Sequence, residues 1–159
     1  MKVQDIMTRE VKRCGPDINL AAAVELMWDN DCGVLPVVDT DQKVIGMITD
    51  RDICIALGTR NLRASNITVG EIISGEVYAC SPQEDIHEAL SAIRQQKVRR
   101  LPVIDSDGVL QGILCFNDIV LHADKSDAKK GISYEEVVST LKAICDHGAL
   151  ATTVHTARV

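Results

Sequence analysis

The sequence overlies itself. Displaced by 66 positions, the separation of Leu35 from Leu101, the 159-residue chain aligns with its own second half without a gap. Leu35-Pro36-Val37 falls on Leu101-Pro102-Val103, Asp39 on Asp105, Gly46 on Gly112, and Asp52-Ile53 on Asp118-Ile119. Cys14 and Pro16 fall on Cys80 and Pro82. A unit of this length present only twice is not a solenoid, whose repeats need about three or more stacked copies to bury a core. The pattern calls for two similar small units packed about a pseudo-two-fold axis. They span residues 2–57 and 68–122, joined by the polar linker 58–67 and followed by an unrepeated extension over 123–159.

Within each unit a short helical lead-in, VQDIM or VGEII, precedes a brief extended run, EVKRC or EVYAC. Ser81-Pro82-Gln83-Glu84 reads as a helix start, with a capping serine, proline at the first helical position and glutamate three residues on. Gly15-Pro16-Asp17 is its weaker counterpart. The helices place Leu20, Ala23, Val24 and Met27, and Ile86, Ala89, Leu90 and Ile93, at the spacing of a single apolar stripe. Trp28, at the border of the first stripe, is expected at a subunit interface. Two strands follow in each unit, VLPVVD with KVIGMIT and RLPVID with VLQGIL, separated by acidic turns that suit hairpins. A last helix opens near TDRDICIAL and CFNDIVLHA. The order strand–helix–strand–strand–helix, twice, defines an α+β fold. In the extension, Ser133 and Glu136 form a capping box ahead of Val137, Leu141 and Ile144, predicting a short helix near 133–147 with those three residues on one side. The final dozen residues carry no helix or core signal and are expected to be mobile.

Composition removes several classes of function. A formal charge of −6 argues against general nucleic-acid binding, which needs a basic footprint. The opening MKVQDIMTRE has no apolar signal core and no run approaches the length of a bilayer span, so a soluble, cytoplasmic protein without a membrane partner is expected. The six cysteines include no C-x-x-C pair, and His87, His122, His147 and His155 are scattered, so no metal site is expected. The sequence contains no P-loop or dinucleotide fingerprint and suggests no nucleophile–base pair, so catalysis is not expected either.

The duplicated LPVVD…VIGMITDRDI and LPVID…LQGILCFNDI units, equally spaced, resemble a tandem pair of cystathionine-β-synthase (CBS) domains, a Bateman module, over residues 2–122. Stand-alone bacterial proteins built of this pair are common in that family. The resemblance implies a non-catalytic regulatory module that binds adenine nucleotides or related adenosyl ligands in clefts between its repeats. It also implies a two-fold homodimer and an unidentified regulated partner.

Two groups of residues carry the expected site. Thr49 and Asp52 place a hydroxyl and a carboxylate three residues apart at a helix start, where a carboxylate can accept from both hydroxyls of a ribose. The same spacing is also a simple capping box. The resemblance assigns them the ribose role and sets Arg99 and Arg100, with Lys97, on the phosphates opposite, while Arg51, next to the ribose pair, is in reach of either the phosphates or a surface salt bridge. Planar guanidinium forks suit phosphate oxygens. The adenine is then expected between Ile48 and the segment Val77, Tyr78 and Ala79. By symmetry a second cleft should join Asp118 to Lys12, Arg13 and Cys14, but Cys115 replaces the hydroxyl and Gly33 and Val34 replace the arginines. It is expected to be the poorer site. AMP, ADP or ATP is the expected regulatory ligand, with no cofactor required. S-adenosylmethionine, NAD, or a purely structural dimerisation and docking role are the alternatives.

Overall fold

The computed structural model describes residues 1–125 and 131–146. The lead-in helix α1 (Val3–Ile6) precedes α2 (Leu20–Asp29), the hairpin β1 (Val34–Val38) and β2 (Val44–Thr49), and α3 (Asp50–Arg60). Short 3₁₀ turns at Ala64–Asn66 and Val69–Glu71 lead into α4 (Ile86–Gln96), the hairpin β3 (Arg100–Ile104) and β4 (Leu110–Cys115), and α5 (Phe116–Leu121). The extension adds a parallel pair, β5 (Ala123–Asp124) and β6 (Ile132–Ser133), then α6 (Tyr134–Cys145). The EVKRC and EVYAC runs contribute single parallel bridges, Cys14 to Val37 and Cys80 to Val103. The fold is the expected α+β arrangement in two copies.

The pseudo-two-fold axis is visible in individual hydrogen bonds. Lys43 bridges Val109, its own counterpart under the 66-residue offset. Val44 N donates to Gly108 O at 3.0 Å and Leu110 N to Gln42 O at 3.3 Å, each bond being the symmetry image of the other. The axis therefore passes between the hairpin tips.

Each lead-in packs on the opposite repeat. Val3 N donates to Glu84 O and Gln4 N to Pro82 O, both at 3.0 Å, while Val69 N donates to Ile18 O at 2.9 Å and Gly70 N to Pro16 O at 2.8 Å. Val3, Ile6 and Met7 accordingly join the second repeat's core, and Ile67 and Val69 join the first. This exchange explains why both helices start later than the sequence suggests. The backbone around Pro16 and Pro82 is occupied in pairing with the lead-ins. Helix α2 begins only at Leu20, capped by Asn19, and α4 only at Ile86, capped by Asp85. The Ser81–Glu84 contact does form, with Ser81 N donating to Glu84 Oε2 at 3.0 Å, but it closes a turn ahead of α4.

The apolar stripe of α4 is buried as expected. That of α2 is buried at Leu20, Ala23 and Met27, whereas Val24 is 43% exposed and Trp28 84% exposed. Helix α6 begins with the expected box, in which Ser133 N donates to Glu136 Oε2 at 2.9 Å and Glu136 N to Ser133 Oγ at 3.2 Å. Its inner face differs from the expectation. Thr140 and Ile144 are buried, with Val137 packed against the second repeat's core, while Leu141 stays 44% exposed. Nothing is described for residues 147–159, so the expected mobile tail, His147 and His155 lie outside the described residues. No described helix is long and apolar enough to cross a membrane.

Candidate functional site

The hairpin register decides which side chains meet. Arg100 lies directly across from Cys115, as Val34 lies across from Thr49. One residue earlier, Arg99 O accepts from Phe116 N at 2.9 Å and Gly33 O from Asp50 N at 3.2 Å. In the first repeat a Cβ on Gly33 would come within 2.9 Å of Asp50 Oδ2, so the Asp50 carboxylate fills the space a side chain would need. In the second repeat the position of Asp50 is held by Phe116, turned inward and buried, and an arginine fits. The crowding beside Asp50 thus falls at Gly33, the counterpart of Arg99, and has no equivalent in the second repeat.

A cleft of about 780 Å³ opens beside the second repeat. Val11, Lys12 and the Asn30–Val34 turn come to it from the first repeat, and Arg99, Arg100, Ile113, Cys115, Phe116, Asn117 and Val120 from the second. Thr8 reaches it because its backbone pairs with Ile113 in both directions at 2.9 Å. The walls combine apolar surface with the cations of Lys12, Arg99 and Arg100, while Glu10 and Asp31 add acidic groups at the rim. Burial pushes the Cys115 thiol up, the Asp118 carboxylate adds to the rise, and the Arg100 guanidinium opposes it. Asp118 Oδ2 accepts from Cys115 N at 2.8 Å, holding the start of α5.

Arg99 and Arg100 therefore line the cleft on the Cys115 side, the one expected to be poorer, and Thr49 and Asp52 are not among its lining residues. Thr49 and Asp52 form a closed capping box. Thr49 N and Thr49 Oγ1 donate to Asp52 Oδ2 at 2.9 and 2.6 Å, and Asp52 N donates to Thr49 Oγ1 at 3.1 Å. The two bonds that the Asp52 carboxylate accepts both fall on Oδ2 and leave Oδ1 out.

Ile48, Cys14 and Lys97 depart from their expected places. Ile48 is fully buried in the first core, because alternation along β2 turns it inward and Met47 and Thr49 outward, so it cannot wall a ligand. Cys14 is core as well, its thiol pushed up to about 11 by burial. Lys97, at the left-handed end of α4, reaches the C-terminus of α6, where Nζ donates to Asp146 O and pairs with its carboxylate at 3.8 Å. Arg13 and Arg51 are exposed and outside the cleft's lining. Tyr78 donates to Glu76 Oε1 at 2.7 Å, and Val77 and Ala79 are half-buried beside it. Val11 and Lys12, the counterparts of Val77 and Tyr78, are the ones at the cleft. Phe116 and Leu141 also line it without having been singled out as site residues. For Phe116 a signal existed, since it is the only phenylalanine in the chain and stands where the first repeat has an acid.

Two pseudo-symmetric α+β repeats with exchanged lead-ins, beside a cleft of mixed apolar and cationic character, define a tandem-repeat module. The sequence profile of the CBS domain matches residues 3–59 and 69–124. The chain belongs to the CBS domain family and carries its domains as a tandem pair. It is 34% identical over 148 residues to hypoxic response protein 1 of Mycobacterium tuberculosis, covering 93% of this chain and 96% of that protein. It is 32% identical over 121 residues to the CBS domain-containing protein YhcV of Bacillus subtilis, covering 76% and 84%. Among solved structures, hypoxic response protein I with two coordinated zinc ions matches with a TM-score of 0.70 and 34% identity, over 77% of this chain and 98% of that one. CBSX2 in complex with AMP matches with a TM-score of 0.67 and 28% identity, over 76% and 92%. Among the described residues of the present chain, no group of three or more His, Cys, Asp or Glu side chains is placed to hold a metal ion.

Proposed function

We propose that this protein is a non-catalytic, cytoplasmic regulatory module that binds an adenine nucleotide, AMP, ADP or ATP, in the cleft beside its second repeat. The observation that carries this reading is the convergence of Lys12, Arg99 and Arg100 with the apolar surface of Val11, Ile113 and Phe116 in one cleft. A nucleotide has the same division, an apolar base at one end and an anion at the other, and arginine forks pair with phosphate oxygens two at a time. Asp118, next after the lining run Cys115–Asn117, supplies the ribose acceptor, and the Thr49–Asp52 pair serves a second adenosyl site across the module. The AMP complex of CBSX2 supports this choice of ligand. A 25% identical CBS pair, MJ0100, solved with 5′-methylthioadenosine and S-adenosylmethionine, keeps those ligands as the alternative.

Isothermal titration with AMP, ATP, NAD and S-adenosylmethionine separates these possibilities. Replacing both Arg99 and Arg100 with alanine should weaken AMP at least about tenfold while sparing adenosine, since charge-assisted hydrogen bonds contribute roughly 1.5–3 kcal/mol each. Asp118→Ala should weaken both ligands alike. Equal losses of AMP and adenosine in the double-arginine variant would remove the arginines from the phosphate role, and a protein that binds none of the four ligands would overturn the reading.

The module acts as a two-fold homodimer in this proposal. Ile55 and Leu121, counterparts on α3 and α5, are 51% and 80% exposed, so both repeats present apolar surface at matching positions. Sedimentation showing a monomer across the micromolar range would refute the dimer.

A further inference from the structure

Helix α6 lies beyond the family match, which ends at residue 124, yet it reaches the cleft. Its rotation is fixed by what holds it down. Val137, Thr140 and Ile144 face the second repeat's core, and His87 Nδ1 on α4 meets Glu136 Oε1 at 2.8 Å. The parallel pairing of Ala123 with Ile132 ties its entry. One position past buried Thr140, about 100° around the helix, Leu141 is turned to the cleft. There it stands with Val120 of α5, each 44% exposed, above buried Ile113 and Phe116.

We propose that Leu141 is a ligand-contacting residue, so that α6 completes the apolar end of the nucleotide site and its docking is coupled to occupancy. This inference rests on the nucleotide reading above. With phosphates drawn to Arg99 and Arg100, the base lies toward the remaining apolar surface, which Val120 and Leu141 supply. Leu141 is then covered when the ligand is bound and wet when it is not. A contact present only in the bound state links the two equilibria: the ligand holds α6 down, and a docked α6 raises affinity by the same factor. Ligand binding is thereby transmitted to the segment that carries the chain out of the paired repeats.

The test uses the full chain and AMP. Leu141→Ala should weaken AMP about fivefold, the loss expected from uncovering part of a leucine side chain. Val138→Ala, on the same helix at a slightly more exposed position outside the cleft's lining, should leave affinity unchanged. Saturating AMP should slow amide hydrogen exchange across 134–145 in the wild-type chain, and less so in Leu141→Ala. If the wild-type chain binds none of the four titrated ligands, the nucleotide reading and this inference fall together; if it binds ATP and not AMP, the same comparison is read with ATP. If it binds AMP in an Arg99- and Arg100-dependent way, yet Leu141→Ala binds equally well and exchange in α6 does not respond, only the role of α6 is overturned.

Discussion

Gly46 and Gly112 occupy the same position in the two repeats but face different obstacles. A Cβ on Gly112 would come within 2.7 Å of the backbone oxygen of Thr8 and 2.9 Å of Met7 Sδ, where the first lead-in crosses the hairpin. A Cβ on Gly46 would meet the end of a flexible side chain, Ile73 Cδ1, at 2.8 Å. Overpacking costs typically about 1–3 kcal/mol, less where the neighbour can move. Gly112→Ala should therefore lower the midpoint of urea unfolding more than Gly46→Ala, and the reverse order would show that the lead-in is loosely held. At this scale the sequence disclosed the special residues better than their surroundings. Arg99 and Arg100 stood out against Gly33 and Val34, but their cleft depended on the register that sets Arg100 against Cys115. Ile48, expected against a ligand, is core, because the side chains of a strand alternate between its two faces and this one turns inward.

At the level of elements, helix α6 is anchored by a carboxylate whose titration is predictable. Burial pushes the Glu136 carboxyl up, but the Ser133 hydrogen bonds and His87 beside it together hold it below the ordinary 4.5. A carboxyl depressed in the folded state adds stability above its unfolded value and loses that contribution as pH falls through its folded value. Glu136→Gln should thus lower the melting temperature at neutral pH, with the difference from wild type shrinking as pH drops below 4.5. A difference that persists undiminished at pH 3 would mean the side chain acts by packing. The capping box of α6 was readable because Ser133 and Glu136 are close in sequence. The late starts of α2 and α4 were not, because the backbone ahead of them is claimed by the lead-ins, which are distant in sequence. Local propensity gives way there to tertiary pairing.

For the whole molecule, the repeat made the two-fold architecture legible before any coordinate was known. Self-similarity reveals that two lead-ins exist, but it carries no information about which repeat each one packs on, and that required the structure. Val3, Ile6 and Met7 belong to one core by contact and to the other unit by sequence. The linker between them is exposed at Asn61–Arg63 and has no regular structure there. Suppose trypsin cuts after Arg63. The N-terminal fragment still clasps the C-terminal one through α1, and the C-terminal fragment clasps back through Ile67 and Val69. The severed chain should elute from a sizing column as one particle and run on a denaturing gel as two bands. The halves are interlocked like a pair of hooked fingers, and neither can let go while the other keeps its grip.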